Sequence, residues 1–452
     1  MQIIIAGCGK VGRTLVAQLS KENNNITVID TDPEVVEQVS MTYDVMGIVG
    51  NGTSYSILKE AGLETADMVI AVTESDEVNL LCCVIAKQKS NCHTIARVRN
   101  PIYSKERNFL RSELNLSMTI NPELEAAREI AKLLRYPSAI DINSFAKDRI
   151  DLLRFKIPKD SILHGTALKD IPLKVEHNIL VCMVDRNDEI TIPNGNFVLQ
   201  SGDTISIIAM PENAERFFTK IGIKTSRVKS AILIGGGGIS YYLTEILLKM
   251  GVSVKIIERS KERCAELNDK FPGAIVDCGD GTNQELLNEE HLENLDALVA
   301  CTGMDEVNAL LSMYAMNKVK KKVVTKLNHI EYNDVIKSLN LDSIVNPKLL
   351  TASSILQYVR AMGNSIDSNV ETLYRLMDGR VEALEFHIGQ GSKVTGTTFA
   401  DMRIKKGILV AGIMREGQFI IPGGSDEFKE GDSVIIITTN IGYHDINEII
   451  EK

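Results

Sequence analysis

The chain has no tryptophan, and aromatic residues make up only 5% of its 452 positions. It also lacks long apolar runs. The longest, such as 433–438, have the length of a strand, far from the roughly 20 residues of a membrane-spanning helix. No membrane span is expected, and because the chain starts directly in an apolar strand, no signal peptide is expected either. Positive charge is in short supply: the net charge is −10, which argues against broad nucleic-acid binding, since phosphate contacts need clustered Lys and Arg. The eight cysteines form no C-x-x-C pair. Cys82 and Cys83 stand side by side on an expected helix and the others sit singly in apolar surroundings, so they read as free buried thiols in a reducing compartment. The seven histidines make neither an H-E-x-x-H motif nor a His/Cys cluster, so no structural metal or zinc hydrolase is expected. The remaining composition, 44% hydrophobic and 24% charged, is ordinary for soluble globular proteins, and the length calls for several domains.

What is present is a design written twice. Gly7-Cys8-Gly9-Lys10-Val11-Gly12 follows the apolar stretch Ile3-Ile4-Ile5-Ala6, and Gly235-Gly236-Gly237-Gly238-Ile239-Ser240 follows Ala231-Ile232-Leu233-Ile234. Asp30 returns as Glu258, Gly50-Asn51-Gly52-Thr53 as Gly279-Asp280-Gly281-Thr282, and Asp76-Glu77-Val78-Asn79 as Asp305-Glu306-Val307-Asn308. Further on, Pro193-Asn194-Gly195 returns as Pro422-Gly423-Gly424 and Gly202-Asp203 as Gly431-Asp432. A correspondence over such lengths means duplication of a whole domain pair, not a solenoid of short repeats.

Up to about residue 135 the chain alternates buried strands with helices: strands at 2–6, 26–30, 45–49, 68–73 and 94–98, helices at 11–20, 33–41, 54–61, 77–87 and 123–134. The last helix opens with Asn121-Pro122-Glu123, an N-cap followed by Pro in the first turn. This predicts an α/β fold, a doubly wound, Rossmann-like parallel sheet with helices on both faces. Near Ile140 the texture changes to short alternating β patterns, with a turn at Pro193-Asn194-Gly195, a strand at 204–209 and a short helix opening at Pro211. That is a small α+β module. After a polar connector at Thr225–Lys229, a second nucleotide-type fold runs to about 365 and a second small module to 452.

In the first copy, Gly7 permits a tight turn, Gly9 lets a pyrophosphate approach the backbone, and Gly12 lets helix and strand pack closely. The helix N-terminus favours the anion, and Asp30, followed by Thr31, stands where an acid binds ribose hydroxyls. In the second copy Gly235, Gly237 and Gly238 are kept, Ile239 follows, and Ser240 takes the third glycine position, where it is expected to widen the helix–strand spacing. Glu258, followed by Arg259, replaces the Asp from a longer stem. A Rossmann-like fold without a ligand is the competing reading for both copies, and more so for the second.

Ligands of open parallel sheets bind outside the carboxyl ends of the strands. Asn51, Gly52 and Thr53, and Asp280, Gly281 and Thr282, are placed there to read an adenine edge; plain turn chemistry is the alternative. Thr73 and Thr302 are read as the ends of the fourth strands, Arg97 and Lys326 as the ends of the fifth. A cation recurring at one strand end points to phosphate, although single Arg and Lys residues are more often solvated surface charges. Arg99 and Lys10 are further phosphate candidates. No acid/base constellation accompanies these residues: His164, His177, His387 and His444 do not recur between copies, and the small modules are too short to close a substrate cleft over a nicotinamide. No catalytic residue and no metal ligand is assigned.

On these residues, joined by Ala71-Val72-Thr73 and Arg97-Val98-Arg99, the chain resembles the TrkA-type peripheral subunits of bacterial Trk potassium-uptake systems over nearly its whole length. The resemblance implies two tandem RCK units, each a Rossmann domain followed by a TrkA-C domain, at 1–139, 140–225, 229–365 and 366–452. It implies NAD(H) and/or ATP/ADP as regulatory ligands and no enzymatic activity. It further implies assembly as a homo-oligomer, tetramer or dimer, on a TrkH-like potassium-translocating subunit at the cytoplasmic face of the cell membrane. Asn51, where the family usually has Asp, and Ser240 depart from its pattern. Two other readings stay open: a dinucleotide-dependent oxidoreductase, and a sensor of a second ligand such as cyclic di-AMP at the C-terminal modules.

Overall fold

The structure, a computed structural model, describes all residues except 23, 138, 147–148, 175–178, 223–227, 329–338, 340, 365–369, 378–379, 444 and 452. His177, His444 and most of the Thr225–Lys229 connector lie outside the described residues.

The first domain is a parallel sheet of β1 (Gln2–Ala6), β2 (Asn25–Asp30), β3 (Met46–Val49), β4 (Met68–Ala71), β5 (His93–Arg97) and β6 (Met118–Ile120), in the order β3-β2-β1-β4-β5-β6. Ile3, Ile4 and Ile5 are all buried, as befits a parallel strand covered on both faces. The helix Lys10–Leu19 turns Leu15, Val16 and Leu19 inward. Strand order reverses between β1 and β4, so the loops after these two strands diverge and leave a crevice at their carboxyl ends. Strand β6 and the short helices Pro101–Lys105 and Arg107–Glu113 escaped the periodicity reading, because three-residue strands and five- to seven-residue helices carry too few positions to show a period. Strand β4 ends at Ala71, so Thr73 lies in the loop beyond it.

A small module follows, an antiparallel sheet of β7 (Asp141–Phe145), β8 (Ile150–Lys156), β9 (Ile179–Arg186), β10 (Glu189–Thr191) and β11 (Thr204–Ala209), ordered β10-β9-β11-β8-β7. The second parallel sheet repeats the first: β12 (Ser230–Ile234), β13 (Ser253–Glu258), β14 (Ile275–Cys278), β15 (Ala297–Ala300), β16 (Lys322–Lys326) and β17 (Ser343–Val345), ordered β14-β13-β12-β15-β16-β17. The second small sheet is β18 (Val370–Leu376), β19 (Val381–His387), β20 (Ile408–Arg415), β21 (Gln418–Ile420) and β22 (Ser433–Thr438), ordered β18-β19-β22-β20-β21.

The compact units are not the repeat units. One unit comprises Met1–Leu134 with Val228–Leu356, both Rossmann domains; the other comprises Arg135–Arg227 with Gln357–Lys452, both small modules. Within the first unit, Asn121 Nδ2 donates to the Tyr242 hydroxyl at 2.9 Å, and that hydroxyl donates to the Arg99 carbonyl at 3.1 Å. Within the second, one core joins the two sheets, with Phe145, Ile150 and Ile208 against Val381, Ala383 and Ile435. The recurring Gly-Asp pairs have a structural role there. Asp203 accepts a two-pronged bond from Arg186 (2.7 Å each), and Asp432 the same from Arg415 (2.8 and 2.7 Å). Burial raises the Asp203 pKa, and the bonds from Arg186 and the Gln200 amide outweigh it, for a net lowering. Of the cysteines, seven are buried as expected and Cys278 is exposed, at the end of an edge strand.

Candidate functional site

The first Gly-rich loop is shaped by contacts only glycine can make. Gly7 has φ +103°, and a Cβ there would lie 2.7 Å from the Thr73 nitrogen; a Cβ on Gly12 would lie 2.0 Å from the Gly7 carbonyl oxygen. Gly9, in contrast, has nothing within 4 Å of where its Cβ would be. The missing side chain leaves the backbone at the start of the helix Lys10–Leu19 open, which is what close approach of an anion needs. Asp30 fixes the loop from the end of β2. Its Oδ2 accepts from the Cys8 amide at 2.6 Å and its Oδ1 from the Asp32 amide at 3.1 Å. A carboxylate has further lone pairs, so Asp30 keeps acceptor capacity beyond these two bonds. Burial and the nearby Asp30 push the Cys8 thiol up to about 12, which makes it a packing residue, not a nucleophile.

The far wall is set by Asn79, fully buried at the start of the helix Asp76–Lys89. Its Oδ1 accepts from the Thr73 amide (2.8 Å) and hydroxyl (2.7 Å), and its Nδ2 donates to the carbonyls of Thr73 and Arg97 (3.1 and 2.9 Å). One side chain thus ties the loop after β4 to the end of β5. Asp76 accepts from the amides of Arg99 and Asn100 at 2.8 and 2.7 Å, which positions the Arg97–Arg99 segment. Arg97 donates to the Thr73 carbonyl through Nη2, while its Nε is buried without a hydrogen-bond partner, as are Glu123 Oε2 and Asp76 Oδ1. Burial and the neighbouring Arg99 lower the Arg97 pKa; burial raises that of Glu123 against the pull of Arg99 and Arg97.

Together these elements enclose a cleft of about 1280 Å³. Of the residues assigned from sequence, Gly7, Cys8, Gly9, Lys10, Val11, Asp30, Thr31, Asn51, Gly52, Thr73, Arg97 and Arg99 all line it. Gly12 and Thr53 do not: Gly12 packs beneath the loop, and Thr53 closes a turn by donating from its amide and hydroxyl to Asn51 Oδ1, both at 2.9 Å. The cleft also has walls that sequence reasoning missed: Arg13, whose Nε donates to the Cys8 carbonyl, Glu123, and Asn328, Asn346 and Lys348 from the second Rossmann domain.

The second copy keeps the scaffold. Gly235 has φ +101°, and Gly237 has open space where a Cβ would be. Glu258, despite its longer stem, makes the same two bonds as Asp30, accepting from the amides of Gly236 (2.7 Å) and Ser260 (2.8 Å). Asn308 ties Thr302 to Lys326 as Asn79 ties Thr73 to Arg97. Lys326 donates to the Thr302 carbonyl at 2.8 Å. Asp280 closes the same turn with Thr282, whose bonds lower its pKa. Gly281 packs on Ile234, Ile239 is buried, and Arg259 is exposed. At Ser240 the hydroxyl donates to the Gly235 carbonyl and meets Cys301 Sγ at 3.0 Å, so a hydrogen bond spans the place that Gly12 closes by contact in the first copy. Gly238, the counterpart of Lys10, packs against the other copy: a Cβ there would lie 3.0 Å from Glu123 Cγ.

Two copies of a Gly-rich loop at a strand-order switch, each with an acid at the end of the next strand, make a pair of Rossmann domains. The family model described as the TrkA-N domain matches residues 3–122 and 231–347, and the one described as the TrkA-C domain matches 152–222 and 383–450. The chain belongs to the TrkA family. It is 33% identical over 446 residues to the Trk system potassium uptake protein TrkA homolog 1 of Methanosarcina mazei, covering 97% of each chain. It is 30% identical to the Trk system potassium uptake protein TrkA of Haemophilus influenzae, covering 96% of this chain and 95% of that one. Among solved structures it is similar to the GsuK channel bound to NAD, with a TM-score of 0.64 and 16% identity over 97% of this chain and 76% of that chain; at that identity the likeness concerns the fold. Each TrkA-N match ends near the Asn-Pro that opens the helices Pro122–Arg135 and Pro347–Asn364. That tripeptide, Asn121-Pro122-Glu123 against Asn346-Pro347-Lys348, was the sequence signal that would have found Glu123 and Lys348.

Proposed function

We propose that this chain is a nucleotide-responsive regulatory subunit of a potassium-uptake system. Its four domains, bounded at 1–139, 140–225, 229–365 and 366–452, act as two RCK units. The observation that carries the reading is the first crevice: an open backbone at Gly9, an acid at Asp30, and Lys10, Arg97 and Arg99 on one cleft. Asp30 would accept from the ribose hydroxyls of an adenine nucleotide, NAD(H) or ATP/ADP. The Gly7–Gly12 loop would receive the phosphates at the helix N-terminus, and Arg97 and Arg99 would face the outer charge. The relatives are named for potassium uptake and not for any enzymatic reaction, and the similar channel is described as bound to NAD. No described helix is long and apolar enough to cross a membrane, so the reading places the potassium path in a separate, TrkH-like membrane subunit. On its cytoplasmic face this chain would assemble as a tetramer or dimer.

Regulation requires that the nucleotide bind two shapes of the assembly unequally, since a ligand shifts an equilibrium only by its differential affinity. A tenfold change in open probability needs about 1.4 kcal/mol, within reach of one charge-assisted phosphate contact. Potassium flux through the reconstituted membrane partner tests this. Flux is expected to depend on whether ATP, ADP, NADH or no nucleotide is present, and Gly9→Val is expected to abolish the dependence. Identical flux in all four conditions would refute the regulatory reading.

A further inference from the structure

The first crevice is not completed by its own domain. Lys348 is the second residue of the helix Pro347–Asn364, held there by Asn346, whose Oδ1 accepts from the Lys348 and Leu349 amides at 3.0 Å each. A lysine in the first turn sits at the positive end of the helix dipole, where acids are favoured. The equivalent residue of the first copy, Glu123, follows that preference. Lys348 is also half-buried, and Lys10, at the start of the helix that bears the first Gly-rich loop, is close enough to repel it. Among the described residues neither lysine has an ion pair, and the hydrogen bond of the Lys348 ammonium is a long one, 3.5 Å, to the Asn328 carbonyl. Burial and Lys10 pull its pKa down to about 8. Its ammonium therefore stands against a helix dipole, a second cation and partial desolvation, with Asp305 as the opposing charge, on the wall of the first cleft.

We propose that Lys348 is the second-domain contact for the outermost phosphate of an adenine nucleotide seated on the first Gly-rich loop. A triphosphate then bridges the two Rossmann domains, and the crevice prefers it to a diphosphate or a dinucleotide. The proposal rests on the nucleotide reading of this crevice and goes beyond it in assigning the selectivity to a residue of the other copy. Position decides which part of the ligand is involved. The charges that act on Lys348 include Lys10, at the start of the helix behind the Gly-rich loop, and do not include Asp30, the acid assigned to the ribose. A nicotinamide, uncharged or positive, gains nothing from two ammonium groups, whereas a terminal phosphate relieves their mutual repulsion. The second crevice has no such pair, because Gly238 and Glu123 stand at the corresponding places.

The test is calorimetric titration of ATP, ADP and NADH into the full-length protein and its Lys348→Gln, Lys348→Arg and Asp30→Ala variants, with thermal unfolding of each without nucleotide. Lys348→Gln is expected to weaken ATP about tenfold and ADP and NADH less than threefold, Lys348→Arg to keep the ATP preference, and Asp30→Ala to weaken all three. The unliganded Lys348→Gln protein is expected to melt higher, because a repulsive charge is gone. Equal losses for the three ligands, or a lower melting temperature without nucleotide, would make Lys348 a structural residue and overturn the inference alone. No binding of any of the three to the unchanged protein would overturn the nucleotide reading and the inference with it.

Discussion

At the first residue of the helix after the Gly-rich loop, one copy has Lys10 and the other Gly238. At the second residue of the helix after the sixth strand, the first copy has Glu123 and the second Lys348. Each loop is faced by the residue of the opposite copy, so the first crevice gathers two ammonium groups while the second receives the stem of a carboxylate. Beneath these positions the copies agree almost bond for bond. Asn79 and Asn308 tie the fourth strand to the fifth, Asp30 and Glu258 hold the loop by two amides, and Arg97 and Lys326 donate to the carbonyls of Thr73 and Thr302. The lesson is that duplication preserved what holds the backbone and released what faces the crevice. A recurring residue therefore marks scaffold as readily as function.

The largest effects should appear where the copies agree. Gly7→Val and Gly235→Val are each expected to destabilise their domain by roughly 4 kcal/mol or more, since both have positive φ and a Cβ would meet loop backbone at 2.7 and 3.1 Å respectively. Thermal unfolding would show two comparable losses; a marked loss in only one copy would break the claim of a shared scaffold. The next effect separates the copies. Asp30→Ala is expected to lower adenine-nucleotide affinity by about 2–4 kcal/mol through lost ribose hydrogen bonds, and Glu258→Ala to leave the tight site unchanged in the same titration. A smaller separation is expected at the open glycines. Gly9→Ala and Gly237→Ala both have free space for the added methyl, so melting temperatures should hardly move, while Gly9→Ala alone costs about 1–2 kcal/mol of nucleotide affinity by blocking backbone approach.

The smallest effect is a pH dependence. Lys348 is faced by Lys10, Asp305 and Lys326, and its pKa of about 8 lies below the ordinary 10.5. Without ligand, a depressed folded-state pKa means that the unfolded chain binds the proton more tightly between pH 8 and 10.5. This residue's contribution to stability therefore rises as pH climbs through that window. A bound phosphate favours the charged form, so ATP affinity is expected to fall severalfold from pH 7 to pH 9, and not to do so in Lys348→Gln. A parallel fall in the variant would move the dependence to another group.

The doubly wound sheets were legible because alternating buried strands and helices leave a strong period over whole elements, and the Gly-rich loops were legible because their context was right. Three things were not. The short β6 had too few residues to show. Asn79 was visible as part of a recurring Asp-Glu-Val-Asn run, but nothing in the run says that a buried amide will bridge two strand ends. Lys348 looked like a surface lysine at a helix start, because its meaning depends on which domain packs against which, and the compact units pair Rossmann with Rossmann across more than two hundred residues of chain.

The reading proposed above seats the nucleotide in the first crevice of the pair, where the open Gly9 backbone, Asp30 and the two ammonium groups meet. Titrating ATP into the full-length protein and counting equivalents tests it most directly. The account predicts one tight equivalent per chain, lost in Asp30→Ala and kept in Glu258→Ala. Two tight equivalents per chain, or one that disappears with Glu258→Ala and survives Asp30→Ala, would contradict it.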